Sequence, residues 1–169
     1  MLFRSDVSLV VFDHPGTEEA DKTPETAQRI REAEARYIPF VLRSFLEQSD
    51  QWGAVRVLPD PDPTAELLLT GTVVEATGLH LEVQLSVRDA TGRIWLDQNY
   101  TASSEASDFT RSSGAAPLFA SLYRQISADL GALGTALTDA DVDQVRQVSW
   151  LRYANALADR KSTRLNSSH

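Results

Sequence analysis

The chain contains no cysteine, which removes disulfides, thiolate catalysis and cysteine-ligated zinc together. It also lacks any run approaching the ~18 apolar residues of a membrane span. Positive charge is scarce. Lys22 is the sole lysine before residue 159, so no clustered basic surface of the kind that holds nucleic acid or an anionic bilayer is available. Histidine occurs three times, as His14, His80 and His169, in no zinc-type spacing.

What is present is acidic. The 169 residues carry 24 acidic and 16 basic side chains, a net charge of −8. The last eleven residues, Asp159 to His169 (DRKSTRLNSSH), match residue for residue the translation of a common short-read sequencing adapter. They are expected to be read-through, and are set aside as a tag would be. One acidic and three basic residues go with them, leaving 23 acidic and 13 basic side chains and a net charge of −10. A chain of this length forms one domain by prior, buries roughly 70% of its unfolded surface, and needs no metal or disulfide to fold. The expected organisation is a sandwich domain over residues 1–137, a further helix over 138–158 leading into missing sequence, and the non-native tail 159–169.

The most informative stretch is Glu66 to Thr101. Leu79, Leu81, Val83, Leu85 and Val87 alternate with His80, Glu82, Gln84, Ser86 and Arg88, the period of two of a strand with one wet face. Thr77-Gly78 before it and Asp89-Ala90-Thr91-Gly92 after it are turn formers, so the stretch reads as a three-stranded antiparallel meander. Two turns are open for the second hairpin. A three-residue loop Ala90-Thr91-Gly92 with a bulge puts Trp95 and Asp97 on the side of Val87; a two-residue turn puts Leu96 and Tyr100 there. The second is favoured because it leaves no carboxylate in the core.

Around the meander, Asp6 to Phe12 reads as a buried first strand that stops at Asp13-His14-Pro15-Gly16. Gly16 to Thr23 reads as a loop, with Thr23 capping a helix that opens on Pro24 and Glu25. That helix is expected either to kink at Pro39 or to break near Arg36-Tyr37. Its first half is charged and expected in solvent, whereas Ile38, Val41, Leu42, Phe45 and Leu46 form a stripe for the sheet. Ala54 to Leu58 is a short strand, and Asp60-Pro61-Asp62-Pro63 a stiff connector. Ser103 to Ala116 reads as a loop. Pro117 opens a second amphipathic helix through Phe119, Leu122, Tyr123, Ile126, Leu130 and Leu133, with Gly131 and Gly134 weakening its end. Thr138 to Asp141 is a capping box starting a third helix, where Val142, Val145, Val148, Leu151 and Ala154 make a narrow, drifting stripe.

The predicted fold is an α+β two-layer sandwich. Its mixed sheet has about five strands in the order β-α-β-β-β-β-α, with two amphipathic helices on one face and a third carboxy-terminal helix. The first strand-helix-strand unit should pair in parallel.

Motifs for chemistry are weak. Asp139, Asp141 and Asp143 suggest a calcium loop, but Gln144 stands where glycine is required and Trp150 where glutamate is. No serine lies in a nucleophile elbow, and Gly71 and Gly78 do not form a phosphate loop. Glu75 with Asp97 would make an acid and base pair only if they left the solvated strand positions that isolated carboxylates normally take. His80 is expected in solvent, and Trp52, Trp95 and Trp150 are expected in core or rim packing rather than as a sugar platform. No catalytic, cofactor or metal residue is assigned. The candidate binding surface is His80, Glu82, Gln84, Arg88, Trp95 and Asp97, and the alternative is a glycan, small-ligand or catalytic site built from Trp95, Asp97 and Tyr100.

The runs Leu67-Leu68-Leu69-Thr70-Gly71-Thr72-Val73 and Val87-Arg88-Asp89-Ala90-Thr91-Gly92-Arg93, with the helix Leu118 to Leu130, resemble the amino-terminal domain of TolB. They are similar also to the α/β domains of envelope lipoproteins such as LptE and CsgG. Val41-Leu42-Arg43-Ser44, Ala54 to Leu58, Leu67 to Gly71 and Asp89 to Gly92 fall where those families place a helix end, a short strand, a glycine-bearing strand and a hairpin. The connector Asp60 to Pro63 and the third helix depart from that pattern. The resemblance implies a non-enzymatic binding or assembly role in the periplasm or at the outer membrane of a Gram-negative bacterium. Partners would be other envelope proteins, with no cofactor and no nucleic acid. Membrane contact would come only through a lipid anchor lost from the amino terminus.

Overall fold

The computed structural model describes residues 4–14, 25–76, 79–104 and 118–166. The elements run β1 (Val7–Val10), α1 (Glu25–Gln48), β2 (Val55–Leu58), β3 (Leu67–Ala76), β4 (His80–Asp89), β5 (Ile94–Ser103), α2 (Ala120–Thr135) and α3 (Asp139–Asn166). The turn assigned to Pro15-Gly16, the loop and cap through Pro24, the Thr77-Gly78 turn, the loop from 105 onward and Pro117 lie outside the described residues. All five strands join one sheet in the order β2-β1-β3-β4-β5. β1 is parallel to both neighbours and the other pairings are antiparallel, so the sheet is mixed as expected.

One face of the sheet is dry. Leu67, Leu69 and Val73 of β3, Leu81, Val83, Leu85 and Val87 of β4, and Tyr100 of β5 pack with Ile38, Leu42 and Leu46 of α1 and Leu122, Ile126 and Leu130 of α2. The two helices meet beside the sheet, where Phe45 and Tyr123 stack with ring centroids 5.6 Å apart. Leu79 departs from the expected row: it precedes β4 and is 47% exposed. The buried apolar row of this strand is therefore four residues long, with Asp89 buried at its end.

Pro39 neither breaks nor ends α1, which runs unbroken from Glu25 to Gln48. A proline inside a helix orphans the carbonyl four residues earlier. That carbonyl is Ala35 O, and it accepts the Phe12 amide at 3.1 Å. The missing helical bond is thus replaced by one that ties α1 to the end of the first strand. The first half of α1 is also less solvated than its charge suggests, since Ala35 is buried and burial raises the Glu34 carboxyl above its usual range.

Phe12 also explains Gly71. A Cβ on Gly71 would lie 2.6 and 2.7 Å from atoms of the Phe12 ring, which is itself buried. The glycine is there for close approach within a strand, not for a turn. Gly71→Ala is expected to cost about 1–3 kcal/mol through overpacking. Urea midpoints of Gly71→Ala alone and combined with Phe12→Leu check this, because trimming the ring should return part of the loss. No recovery in the double variant would place the strain elsewhere.

The hairpin between β4 and β5 takes one of the two turns considered from sequence and reaches the facing of the other. Gly92 N–H bonds Asp89 O and Asp89 N–H bonds Arg93 O, each at 3.0 Å, with Gly92 at φ 91°. That is the three-residue loop, contrary to the favoured two-residue turn. A register shift between Val87 and Arg88 then leaves Trp95 as an extra residue in β5, so Leu96 pairs with Val87 and Tyr100 with Val83. The expected facing of Leu96 and Tyr100 is recovered by this second irregularity.

α2 begins at Ala120, later than the predicted Pro117, after Phe119 in the left-handed region at φ 63°. Its glycines serve packing: a Cβ on Gly131 would strike the Gln51 amide, and one on Gly134 would lie 3.0 Å from the Trp52 ring. α3 starts on the predicted capping box. Thr138 Oγ1 donates to Asp141 Oδ2 at 2.7 Å and the Thr138 amide to the same oxygen at 3.0 Å, and these two bonds hold the Asp141 carboxyl below its usual range; the Asp141 amide in turn donates to Thr138 Oγ1 at 3.2 Å. The helix continues through Arg160, Lys161 and Arg164, good helix formers whatever their origin.

Candidate functional site

Alternation along β4 sends His80, Glu82, Gln84, Ser86 and Arg88 to the face opposite the helices, where Asp97, Asn99 and Thr101 of β5 stand beside them. Five of the six candidate surface residues, His80, Glu82, Gln84, Arg88 and Asp97, therefore share this outer face. Trp95 does not. It leans inward against the core, 6.4 Å from Trp52 by ring centroid, and its Nε1–H donates to Asp89 Oδ2 at 3.0 Å.

The same geometry separates Trp95, Asp97 and Tyr100. Asp97 points outward, whereas Tyr100 is buried and its hydroxyl donates to Asp129 Oδ2 at 2.8 Å. Burial first, then that bond and the charge of Asp129, push the phenol above its ordinary range. Asp97 and Glu75 do not form an acid and base pair either. They stand across from Ser86 and Glu82, four residues apart on β4, about 13 Å along the strand. Trp150 stacks instead on Tyr153 within α3, with ring centroids 5.7 Å apart.

Among the described residues the outer face holds one cluster of possible metal ligands. Glu75, His80 and Glu82 each present a ligand atom within 4.8 Å of the others. His80 Nδ1 lies 3.0 Å from Ser103 Oγ, His80 Nε2 lies 3.8 Å from Glu75 Oε2, and Asn99 Nδ2 donates to Glu82 Oε1 at 2.9 Å. Ser103, His80 and Glu75 fall in the order of a hydrolase triad. At 3.8 Å, however, the carboxylate does not orient the imidazole by a hydrogen bond. Ser103 also lies on an extended edge strand rather than on the strained turn that exposes a nucleophile.

Glu75 was not assigned to this surface from the sequence. The register shifts between Val73 and Glu75, leaving Val74 unpaired and exposed and setting Glu75 directly across from Glu82. The Val73-Val74 doublet, which breaks the alternation of β3, is the sequence signal that marks it.

A second surface lies on α3. Val145 is buried and Val142 and Val148 half-buried, but Leu151 and Ala154, the rest of the expected stripe, are exposed. Side chains anchor the first part of the helix: Arg146 Nη2 donates to Arg4 O at 2.9 Å, Ser149 Oγ to Thr64 O at 2.5 Å, and Arg146 Nε lies 3.4 Å from Glu66 Oε1. Beyond them Trp150 (68% exposed), Leu151 (61%), Tyr153 (45%) and Leu157 (41%) face solvent. A cleft of about 460 Å³ opens between Trp150 and Tyr153 on this helix and Thr64 and Glu66. No described helix is long and apolar enough to cross a membrane.

The class of protein defined here is a two-layer α+β domain with a polar outer sheet face and an aromatic helix face. No family model matches the chain, and no curated protein does. Solved structures do. A point variant of the PelC dodecamer from Paraburkholderia phytofirmans is 15% identical, covering 78% of this chain and 89% of that one at TM-score 0.46. PelC of the same species in another crystal form is 14% identical over 76% and 87%, TM-score 0.44. A hypothetical protein of Chlamydia trachomatis is 12% identical over 79% and 100%, TM-score 0.42. At these levels no functional residue is carried across.

Proposed function

We propose that this chain is a non-enzymatic protein-binding or assembly module of a bacterial cell envelope, of the periplasmic or outer-membrane lipoprotein type, docking another envelope protein on the exposed face of α3. The observation that carries the docking is the grouping of Trp150, Tyr153 and Leu157 in solvent on one face of a helix whose preceding turns are anchored. Aromatic anchors of this kind supply most of the energy of protein interfaces, and an apolar patch has a cost in water that a partner removes. The envelope location rests on the resemblance of the strand and hairpin runs to TolB, LptE and CsgG domains. The acidic balance supports it by disfavouring nucleic acid.

The test is a photo-crosslinking residue placed at Trp150 in cells, with one at Gln84 as the comparison. An adduct with a distinct envelope protein at position 150, lost when Tyr153→Asp and Leu157→Asp are introduced, is the expected result. These exposed substitutions should shift the melting midpoint little, about 0.5 kcal/mol or less in stability. Adducts confined to position 84, or none at either position, count against α3 as the docking face. The location is checked separately by reading the gene upstream of Met1: an export signal in frame is expected, and an in-frame stop directly before Met1 opposes it.

A further inference from the structure

We infer that Glu75, His80 and Glu82 form a site for a divalent cation of the zinc class on the outer face of the β3–β4 hairpin. The inference does not rest on the docking role of α3. Its first support is the bulge at Val74. Regular alternation from Val73, whose side chain is in the core, would send Val74 outward and Glu75 inward. The extra residue turns Glu75 to the outer face and sets it directly opposite Glu82. Like charges directly across an antiparallel pair repel and destabilise the ladder. A dication between them reverses that sign, and bulges are a recurrent device for re-aiming a side chain at a site.

The donor set is the second support. One imidazole nitrogen and two carboxylate oxygens suit zinc, which takes three protein ligands and leaves a fourth position for water in open sites. Ligands about 2.0–2.1 Å from a tetrahedral ion stand about 3.4 Å from one another. His80 Nε2 and Glu75 Oε2 are already 3.8 Å apart, and no donor pair exceeds 4.8 Å. Glu75 is more than half exposed, which leaves its side chain room to rotate toward an ion without moving the strands.

The third support is what holds the donors. Ser103 Oγ meets His80 Nδ1 while His80 Nε2 stands 3.8 Å from Glu75 Oε2, and Asn99 Nδ2 holds one oxygen of Glu82. A hydrogen-bonded outer partner on each of two ligands is the arrangement that orients metal-binding histidines and carboxylates. All five residues belong to three adjacent strands, rigid elements rather than loops.

The experiment uses the full chain stripped with EDTA and titrated with Zn²⁺ by calorimetry in a non-chelating buffer. One equivalent is expected to bind. His80→Ala and Glu75→Gln should each weaken it at least tenfold, and Ser103→Ala or Asn99→Ala by about tenfold. Gln84→Ala, the next outward position of β4, should leave affinity unchanged. Saturating Zn²⁺ should also raise the melting midpoint of the parent chain by several degrees and that of His80→Ala by none. Absence of binding, or binding that persists in His80→Ala or in Glu75→Gln, overturns the site. The apo melting curves show whether each variant is folded, and Glu75→Gln keeps the shape of an exposed side chain, so a loss there reports ligation.

Discussion

Val83→Asp is expected to lower the unfolding free energy by about 3–5 kcal/mol, while Gln84→Asp, one residue along the same strand, shifts it by about 0.5 kcal/mol or less. Val83 is fully buried at the centre of the sheet, paired with Val73 on one side and Tyr100 on the other, beneath the core residues of α1 and α2. A carboxylate there meets no donor in an apolar layer and must either stay desolvated or take up a proton, and both outcomes favour the unfolded chain. Gln84 projects from the opposite face into water. Urea denaturation midpoints of the two variants are the measurement. Equal shifts would mean that the assigned facing of β4 is wrong, and with it the placement of both helices.

Asp89→Ala should be the next most damaging change, at about 2–4 kcal/mol. Asp89 is buried, and every donor around it is a neighbour in the hairpin. Oδ1 accepts the Thr91 amide at 2.8 Å, the Thr91 hydroxyl at 2.6 Å and the Arg93 amide at 3.2 Å, while Oδ2 accepts Trp95 Nε1 at 3.0 Å. Deleting the carboxylate strands several of these donors away from water, which is the costly direction of losing a hydrogen bond. Asp89→Asn should fall between, because it keeps the oxygen that serves the loop but turns an amide toward the indole. Guanidinium midpoints for both variants, in the parent and in Trp95→Phe, separate the two halves of the network. If Asp89→Ala costs no more than Asp89→Asn, the loop bonds contribute nothing net to stability.

Asp89 also shows how the facing expected from sequence is reached through a different hairpin. The sequence favours the two-residue turn because that turn keeps a carboxylate out of the core. A carboxylate is buried nonetheless, and it is tolerated because its four donors are supplied within six residues. The three-residue loop would have turned Leu96 and Tyr100 outward. The extra residue at Trp95 turns them back, and the indole that the bulge frees is what satisfies the second oxygen of Asp89. The hydrophobic pattern demanded the facing, but two different hairpins satisfy that demand.

Other features divide along the same line. The stripe Ile38 to Leu46, the row Leu81 to Val87, the parallel pairing of the first strands and the capping box at Thr138 were all legible, because each follows from a local period or a short local motif. The continuity of α1 through Pro39 was not, since the partner of the Ala35 carbonyl is Phe12, from a different element. Gly131 and Gly134 read in sequence as a weakened helix end, whereas in the fold Gln51 and Trp52 lie against them. The sequence puts Trp95 on the wet face because a strand read alone gives no sign of a bulge in its pairing.

By itself the sequence determined the kinds of element, their order, and which face of each must be dry. Those are settled by the spacing of apolar side chains along a single segment and by turn and cap residues next to it. Only the tertiary structure decided the register at the two bulges, and therefore that Glu75 joins His80 and Glu82 while Trp95 leaves them. A register is a property of two strands together: its energy is the sum of hydrogen bonds and side-chain pairs across the ladder, and one inserted residue moves everything beyond it to the opposite face.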